Sequence, residues 1–403
     1  MRQVKIIRSS AGRAVPAAIA AVSTALTLAV AVGPAARAET AWTVRQSPFT
    51  LGFSRLLEVS AAGPDSLWIG GYQWHGRQTV WCPETGPCTL RVHQNPTLQR
   101  WTGSGWSWDG TPGMPGHGQI KFLDAVSAGD VWAAGSRDKP DGTSEGTPYL
   151  AHATAQGWSE VAAPASLRTI EALDAGAQDT WVAGMPVSPD DPSVYRHSAG
   201  TWVPHTLGAS IQGVRQRTPG DVWAVGRIAT AGGQGLAYAA RFDGFTWRTV
   251  TPPQAAGKKG RLVAVLPLAA DDVWVTGYVE ENGVRKDSSY HWDGSTWRED
   301  VLPPGGRFGG GQHHTFGPDA DTGYYAPDGL IEDGAGGLWA VPSANGAYSD
   351  PRILHYTNGS WRLEQTLPHV QGAVQGITRV PGTDSVWAVG FRDGGNPLVI
   401  SAD

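Results

Sequence analysis

A six-residue phrase, Asp-Val-Trp-Ala-Val-Gly, constrains this chain more than any other feature, because it returns seven times. It is clearest at Asp221-Val222-Trp223-Ala224-Val225-Gly226 and at Asp384-Ser385-Val386-Trp387-Ala388-Val389-Gly390. The other copies carry Trp68, Trp132, Trp181, Trp274 and, with more drift, Trp339. Successive tryptophans lie 42–65 residues apart. Self-similarity at that period marks a propeller or a solenoid rather than a string of unrelated domains.

Each repeat reads as four short strands. In the fifth, Gly260-Arg261-Leu262-Val263-Ala264-Val265-Leu266 is the first and Val273-Trp274-Val275-Thr276-Gly277 the second. Ser289-Tyr290-His291-Trp292 is the third, and Asp293-Gly294 turns it into Thr296-Trp297-Arg298-Glu299-Asp300-Val301. Asp-Gly between two β-prone runs is a strong hairpin signal, and four such strands make one propeller blade. A second tryptophan recurs on the fourth strand, at Trp106, Trp158, Trp202, Trp247, Trp297 and Trp361, usually with a proline six residues on. Six of these follow seven of the first kind. The missing one stands at the front, where Trp42 and Pro48 keep the same interval, while the chain ends on a third strand, Gly395-Asn396-Pro397-Leu398-Val399-Ile400. The expected fold is therefore an all-β, seven-bladed β-propeller of four-stranded antiparallel blades, closed by the N-terminal strand completing the last blade. Closure of this kind removes the open ends that a linear array must cap. Both tryptophan families are expected to pack between blades. The aspartate ahead of the first tryptophan (Asp130, Asp179, Asp221, Asp272) reads as a turn former bonded to its own backbone.

The first 38 residues are of different material. Arg2, Lys5, Arg8 and Arg13 precede an Ala-rich apolar run over 15–32, and Ala36-Arg37-Ala38 offers a small-x-small cleavage site. Residues 1–38 read as a secretory signal peptide and 39–403 as the propeller, which implies a secreted, extracellular protein with no membrane span after cleavage. The leader holds five of the 31 Lys and Arg residues and no acid, leaving 26 basic against 36 acidic residues, a formal charge of −10. That charge disfavours nucleic acid, whose binding needs a basic footprint. The basic run Lys258-Lys259-Gly260-Arg261 reads as a solvated loop. The two cysteines, Cys82 and Cys88, flank a turn-rich insertion, and export predicts a disulfide between them that pins the loop by roughly 2 kcal/mol.

On these motifs the chain resembles secreted β-propeller proteins of actinobacteria built on a D-V-W-A-V-G strand and an H-W-D-G-x-x-W hairpin, over residues 40–401. That resemblance implies the fold and no particular activity. Kelch and Asp-box propellers are similar at greater distance. The Asp-box has a residue between Asp and Gly that Asp293-Gly294 lacks, so no sialidase residues are carried over.

Strand direction alternates, so the first-to-second and third-to-fourth turns share one face, and these are short throughout. The long insertions, at 72–96, 136–147, 278–287 and 305–328, all fall on the other face. Long loops on a rigid scaffold are where binding usually sits. The expected ligand-binding residues there are Tyr72, Trp74, His75, Arg77, Trp81, Arg137, Arg227, Tyr278 and Arg392, a set suited to stacking on sugar rings and bonding hydroxyls or carboxylates. The leading reading is a monomeric binding module for an extracellular glycan or cell-surface component. A polysaccharide lyase or hydrolase using His313 or His314 with Tyr324 or Tyr325 is one alternative, and a protein-interaction scaffold the other. No cofactor is implied. Asp319 and Asp321 resemble the start of a calcium loop whose later ligands are missing, and Gly142-Thr143-Ser144-Glu145-Gly146 matches G-x-S-x-G without the strand-to-helix turn that motif needs.

Overall fold

The computed structural model describes residues 41–403 apart from 83–85, 139–145, 230–234, 309–328, 343–350 and 393, with the backbone but not the side chains of 74–94. The described residues form seven four-stranded antiparallel sheets. Six run first to fourth strand in chain order. The seventh takes its first three strands (Gly372–Arg379, Val386–Arg392, Asn396–Ala402) from the end of the chain and its fourth (Thr43–Val44) from the beginning. Each innermost strand touches the next, and the seventh touches the first, so the ring closes as the displaced tryptophan predicts.

The closing strand is short, pairing only Thr43↔Ser401 and Val44↔Ile400. Its flanks do more. Trp42 is buried edge-on to Trp339, with ring centroids 5.6 Å apart. The Arg45 N–H donates to the Val399 carbonyl (2.9 Å), and its guanidinium to Ser401 Oγ (2.6 Å) and Asp403 (2.7 Å). The segment then crosses to the first blade, where Trp106 Nε1 donates to the Gln46 carbonyl and Gln99 Nε2 to the Phe49 carbonyl. The Arg45–Asp403 pair is exposed and contributes little. Burying an indole is worth roughly 4–6 kcal/mol of gross transfer free energy, so Trp42 dominates the seating of this segment, beside the core that blades 7 and 1 share.

The seven first-family tryptophans all lie on second strands and all are buried, packed between adjacent blades. The glycine that ends the phrase has a separate cause. In six blades the inner strand bulges against the second strand near this glycine, at Leu57, Lys121, Glu171, Gln212, Val263 and Gln375. Each bulge bends the strand and brings an inner-strand carbonyl oxygen across the ladder. A Cβ at Gly71, Gly135, Gly184, Gly226, Gly277 or Gly390 would stand 1.9–2.3 Å from that oxygen. Only glycine fits.

Two of the expected long loops are strand instead. In blade 1, Ser66–Cys82 and Gly86–Trp101 pair out to Cys82↔Gly86. In blade 5, Asp272–Glu281 and Val284–Trp292 pair out to Glu281↔Val284 around Asn282-Gly283, both at positive φ as a two-residue hairpin turn demands. Only the first half of the basic run lies outside a strand, with Lys259 exposed. Gly260 and Arg261 open the inner strand of blade 5, Arg261 is buried, and Lys258 is paired with Glu281. Cys82 and Cys88 face Gly86 and Val80 across the hairpin and are not cross-strand partners; their expected bond lies outside the described side chains.

Two outcomes follow. Removing residues 39–48 should lower the midpoint of thermal unfolding by many degrees, and a truncated protein that melts like the intact one would disprove the closure. Gly226→Ala should cost about 1–3 kcal/mol by denaturant titration, whereas Gly220→Ala, with 3.8 Å of clearance, should stay within about 0.5 kcal/mol.

Candidate functional site

The site is built from inner strands. Across the ladder from each blade tryptophan stands one inner-strand residue: Ser60, Asp124, Asp174, Arg215, Leu266, Ile331 and Thr378, from blade 1 to blade 7. An innermost strand has no ladder partner on its channel side, so its N–H groups need acceptors from elsewhere. Three of these side chains supply them to the next blade. Ser60 Oγ accepts from the Ala125 N–H (3.0 Å), Asp124 Oδ2 from Ala175 (2.7 Å) and Asp174 Oδ2 from Gln216 (2.9 Å). Arg215 has no acceptor to offer, and the corresponding residue of the following blade is Pro267, which has no N–H to satisfy.

These positions and their neighbours enclose a cavity of about 440 Å³ on the axis, lined by residues from all seven blades. It lies toward the short turns, the face opposite the long insertions. One side is polar: Asp124, Asp174, Arg215 and Gln216. The other carries most of the apolar lining, Leu266, Pro267, Leu268, Leu330, Ile331 and Ile377, with Glu332, Thr378 and Arg379 among them. The two cations in the lining are each held by two carboxylates. Arg215 Nη1 is 3.3 Å from Asp174 and 4.0 Å from Asp124, and Arg379 is 3.2 Å from Glu332 and 3.7 Å from Asp384. Burial raises the Asp174 carboxyl above its ordinary range, against the opposing pull of Arg215 and the Gln216 N–H.

Around this mouth the turn from first to second strand brings one or two carboxylates per blade: Asp65, Asp130, Asp179, Asp221, Asp271 with Asp272, Asp333 and Asp384. The expected self-bonded turn is not what holds most of them. In blades 2 to 6 the aspartate is clamped to a cation or imidazole on the third strand, which in turn covers the blade tryptophan. His152 stacks on Trp132 and reaches Asp130 at 2.8 Å; His291 stacks on Trp274 and reaches Asp272 at 2.9 Å. Arg196 and Arg241 do the same for Trp181 with Asp179 and Trp223 with Asp221. Blade 6 is the most buried case. His355 lies 3.7 Å from Trp339 between centroids, 3.1 Å from Asp333 and 2.9 Å from Glu364. Burial opposes the charged ring, but the hydrogen bonds to Glu364 and Asp333 outweigh it and hold the His355 pKa above the ordinary imidazole value. Asp333 is held low, because bonds from His355 and from the Ala335 and Gly337 N–H groups outweigh its own burial.

The residues expected on the opposite face are differently placed. Tyr72 is 1% exposed, so its ring packs instead of offering an open face. Tyr278 lies under Arg285, whose guanidinium is 3.7 Å from the ring centroid and donates to Asp287 at 2.7 and 2.8 Å and to the Phe308 carbonyl. Phe308 itself is core. Arg137 sits over Tyr149 and is paired with Glu160. Arg227 and Arg392 are half-buried at the ends of their second strands. The side chains of Trp74, His75, Arg77 and Trp81 lie outside the described residues, as do His313, His314, Asp319, Asp321, Tyr324 and Tyr325 in full. Among the described residues no group of three or more His, Cys, Asp or Glu is placed to hold a metal ion. The mouth residues were readable in principle: aligning the inner strands on their tryptophans exposes a column in which Asp124 and Asp174 interrupt apolar runs.

No protein-family model matches the chain, and a search of curated proteins gives no match. Among solved structures, YCF48 bound to D1 peptide aligns with a TM-score of 0.51 at 12% identity, over 90% of this chain and 97% of that one. YCF48 from Cyanidioschyzon merolae aligns with a TM-score of 0.51 at 14% identity, over 90% and 98%. At such identities the likeness is one of fold, the propeller.

A pH titration of stability tests the blade 6 clamp. A raised imidazole pKa contributes stability that is full below the unfolded value of about 6.5 and is lost as pH rises through the folded value. The depressed Asp333 contributes above about 3.9 and loses it on acidification. Unfolding midpoints of the parent should therefore fall on the alkaline side of neutrality, and His355→Gln should flatten that limb.

Proposed function

We propose that this chain is a protein-binding propeller that holds a peptide segment of a partner at its axial mouth. The carrying observation is the 440 Å³ cavity with one polar side and one largely aliphatic side, to which every blade contributes. A volume of that order suits a short segment or a chain end, and the mixed walls suit a peptide, which presents side chains of both kinds. A propeller of like fold bound to a D1 peptide supports peptides as a ligand class. The signal-like leader at 1–38 supports an extracellular partner.

A glycan reading rests on open aromatic rings, and the described candidates give it little: Tyr72 is buried and Tyr278 is covered by Arg285. The catalytic reading rests on His313, His314, Tyr324 and Tyr325, which carry no described geometry.

Panning a displayed random-peptide library against residues 39–403 should enrich peptides whose binding is lost when Leu268→Trp plugs the mouth. Specific signals on a glycan array, with no peptide enriched or with peptides indifferent to the plug, would refute the reading.

A further inference from the structure

The cavity has a sign as well as a shape. Its lining holds four acids, Glu58, Asp124, Asp174 and Glu332, against two cations, Arg215 and Arg379. Neither cation is available to an incoming anion at low cost. Arg215 already faces Asp174 and Asp124, and Arg379 faces Glu332 and Asp384, so a ligand carboxylate would have to displace one of two carboxylates in each case. It would also approach through the ring of turn aspartates, of which Asp384 is almost fully exposed. Past residue 38 the chain carries 26 basic and 36 acidic residues, so the far field has the same sign as the near one. Such a field draws cations and repels anions at long range.

The apolar wall fixes the second requirement. Leu268 stands at the rim, 37% exposed, with Leu266, Ile331 and Ile377 below it. A bare ammonium or a hydrated ion would leave this wall wet. A segment with an aliphatic residue beside a Lys or Arg would cover it and bring the cation to Glu332, the strand neighbour of Ile331, and to the rim aspartates, the electrostatic complementarity that selects partners.

We propose that the mouth selects basic, aliphatic peptide segments: Lys or Arg flanked by Leu, Ile or Val. This rests on the peptide-binding reading above and adds the chemistry of the peptide. The cation sits toward Glu332 and the rim aspartates, and the aliphatic side chain beside it lies on Leu268 and Ile331.

The test is fluorescence anisotropy of residues 39–403 with four labelled, end-blocked pentapeptides: Gly-Leu-Lys-Leu-Gly, Gly-Leu-Gln-Leu-Gly, Gly-Leu-Glu-Leu-Gly and Gly-Gly-Lys-Gly-Gly. The first should bind about tenfold or more tightly than the other three, and salt should weaken it severalfold because part of the attraction is screened. Glu332→Gln and Leu268→Ser, both at exposed positions, should each weaken it by about three- to tenfold while unfolding at the parent temperature. Equal binding of the Gln and Lys peptides, preference for the Glu peptide, or indifference to Leu268→Ser would overturn the assignment. If all four fail while library peptides sensitive to Leu268→Trp do bind, the charge rule is wrong and the peptide-binding reading stands. If library peptides fail as well, both fall.

Discussion

A ring of sheets has to meet itself, and here blade 7 packs on blade 1 through Leu56, Val59, Ile69, Trp387 and Val399, while one indole seats the strand that completes blade 7. Trp42 docks on Trp339, and only then can two residue pairs, Thr43↔Ser401 and Val44↔Ile400, cover the last open edge of the seventh blade. The same short segment reaches on to Trp106 and Gln99 of the first blade. Blade-to-blade packing is local in sequence except here and where blade 7 packs on blade 1, the two places that join the ends of the described chain. The geometry of the axis depends on it, since an inner strand is positioned by its neighbours on both sides.

What could be read from the residues was whatever repeats. Seven tryptophans on second strands and seven on or beside fourth strands gave the blade count and the displaced closing strand, because packing between sheets imposes the same demand in every blade. The hairpin extension of blade 5 was also legible: Asn282-Gly283 is a strong two-residue turn signal, but a single occurrence was outweighed by the habit of reading a long gap as a loop. The inner-strand bulges were not legible. A bulge shows in sequence only as a break in alternation, and Lys121, Glu171 and Gln212 look there like ordinary irregularity. Its true mark is the glycine across the ladder, which in the sequence is only the last residue of a strand.

The aspartates ahead of the tryptophans are a second case. Their position favours a local turn, yet Asp130, Asp179, Asp221, Asp272 and Asp333 are used across the sheet, by His152, Arg196, Arg241, His291 and His355. The H of H-W-D-G and the D of D-V-W are thus two halves of one contact, joined through the face of the intervening indole. Nothing in the spacing along the chain pairs them; the cross-strand register does. The axial mouth was missed for a similar reason. Loop length pointed to one face, whereas the cavity is made by strand residues on the other, where the turns are shortest.

The inner-strand residue opposite each tryptophan has a freedom that its neighbours lack. The tryptophan, the glycine and the bulge are each held by packing, and changing any of them disturbs a blade. Ser60, Asp124, Asp174, Arg215, Leu266, Ile331 and Thr378 occupy one geometric position and share no chemistry. The scaffold therefore works as a seven-place dial. Each place can be reset from acid to base to hydrocarbon, subject only to the neighbouring N–H finding an acceptor or being removed, as Pro267 removes it. Diversity of this kind needs neither a new loop nor a new fold, and it gathers at the one point where all seven settings line the same cavity.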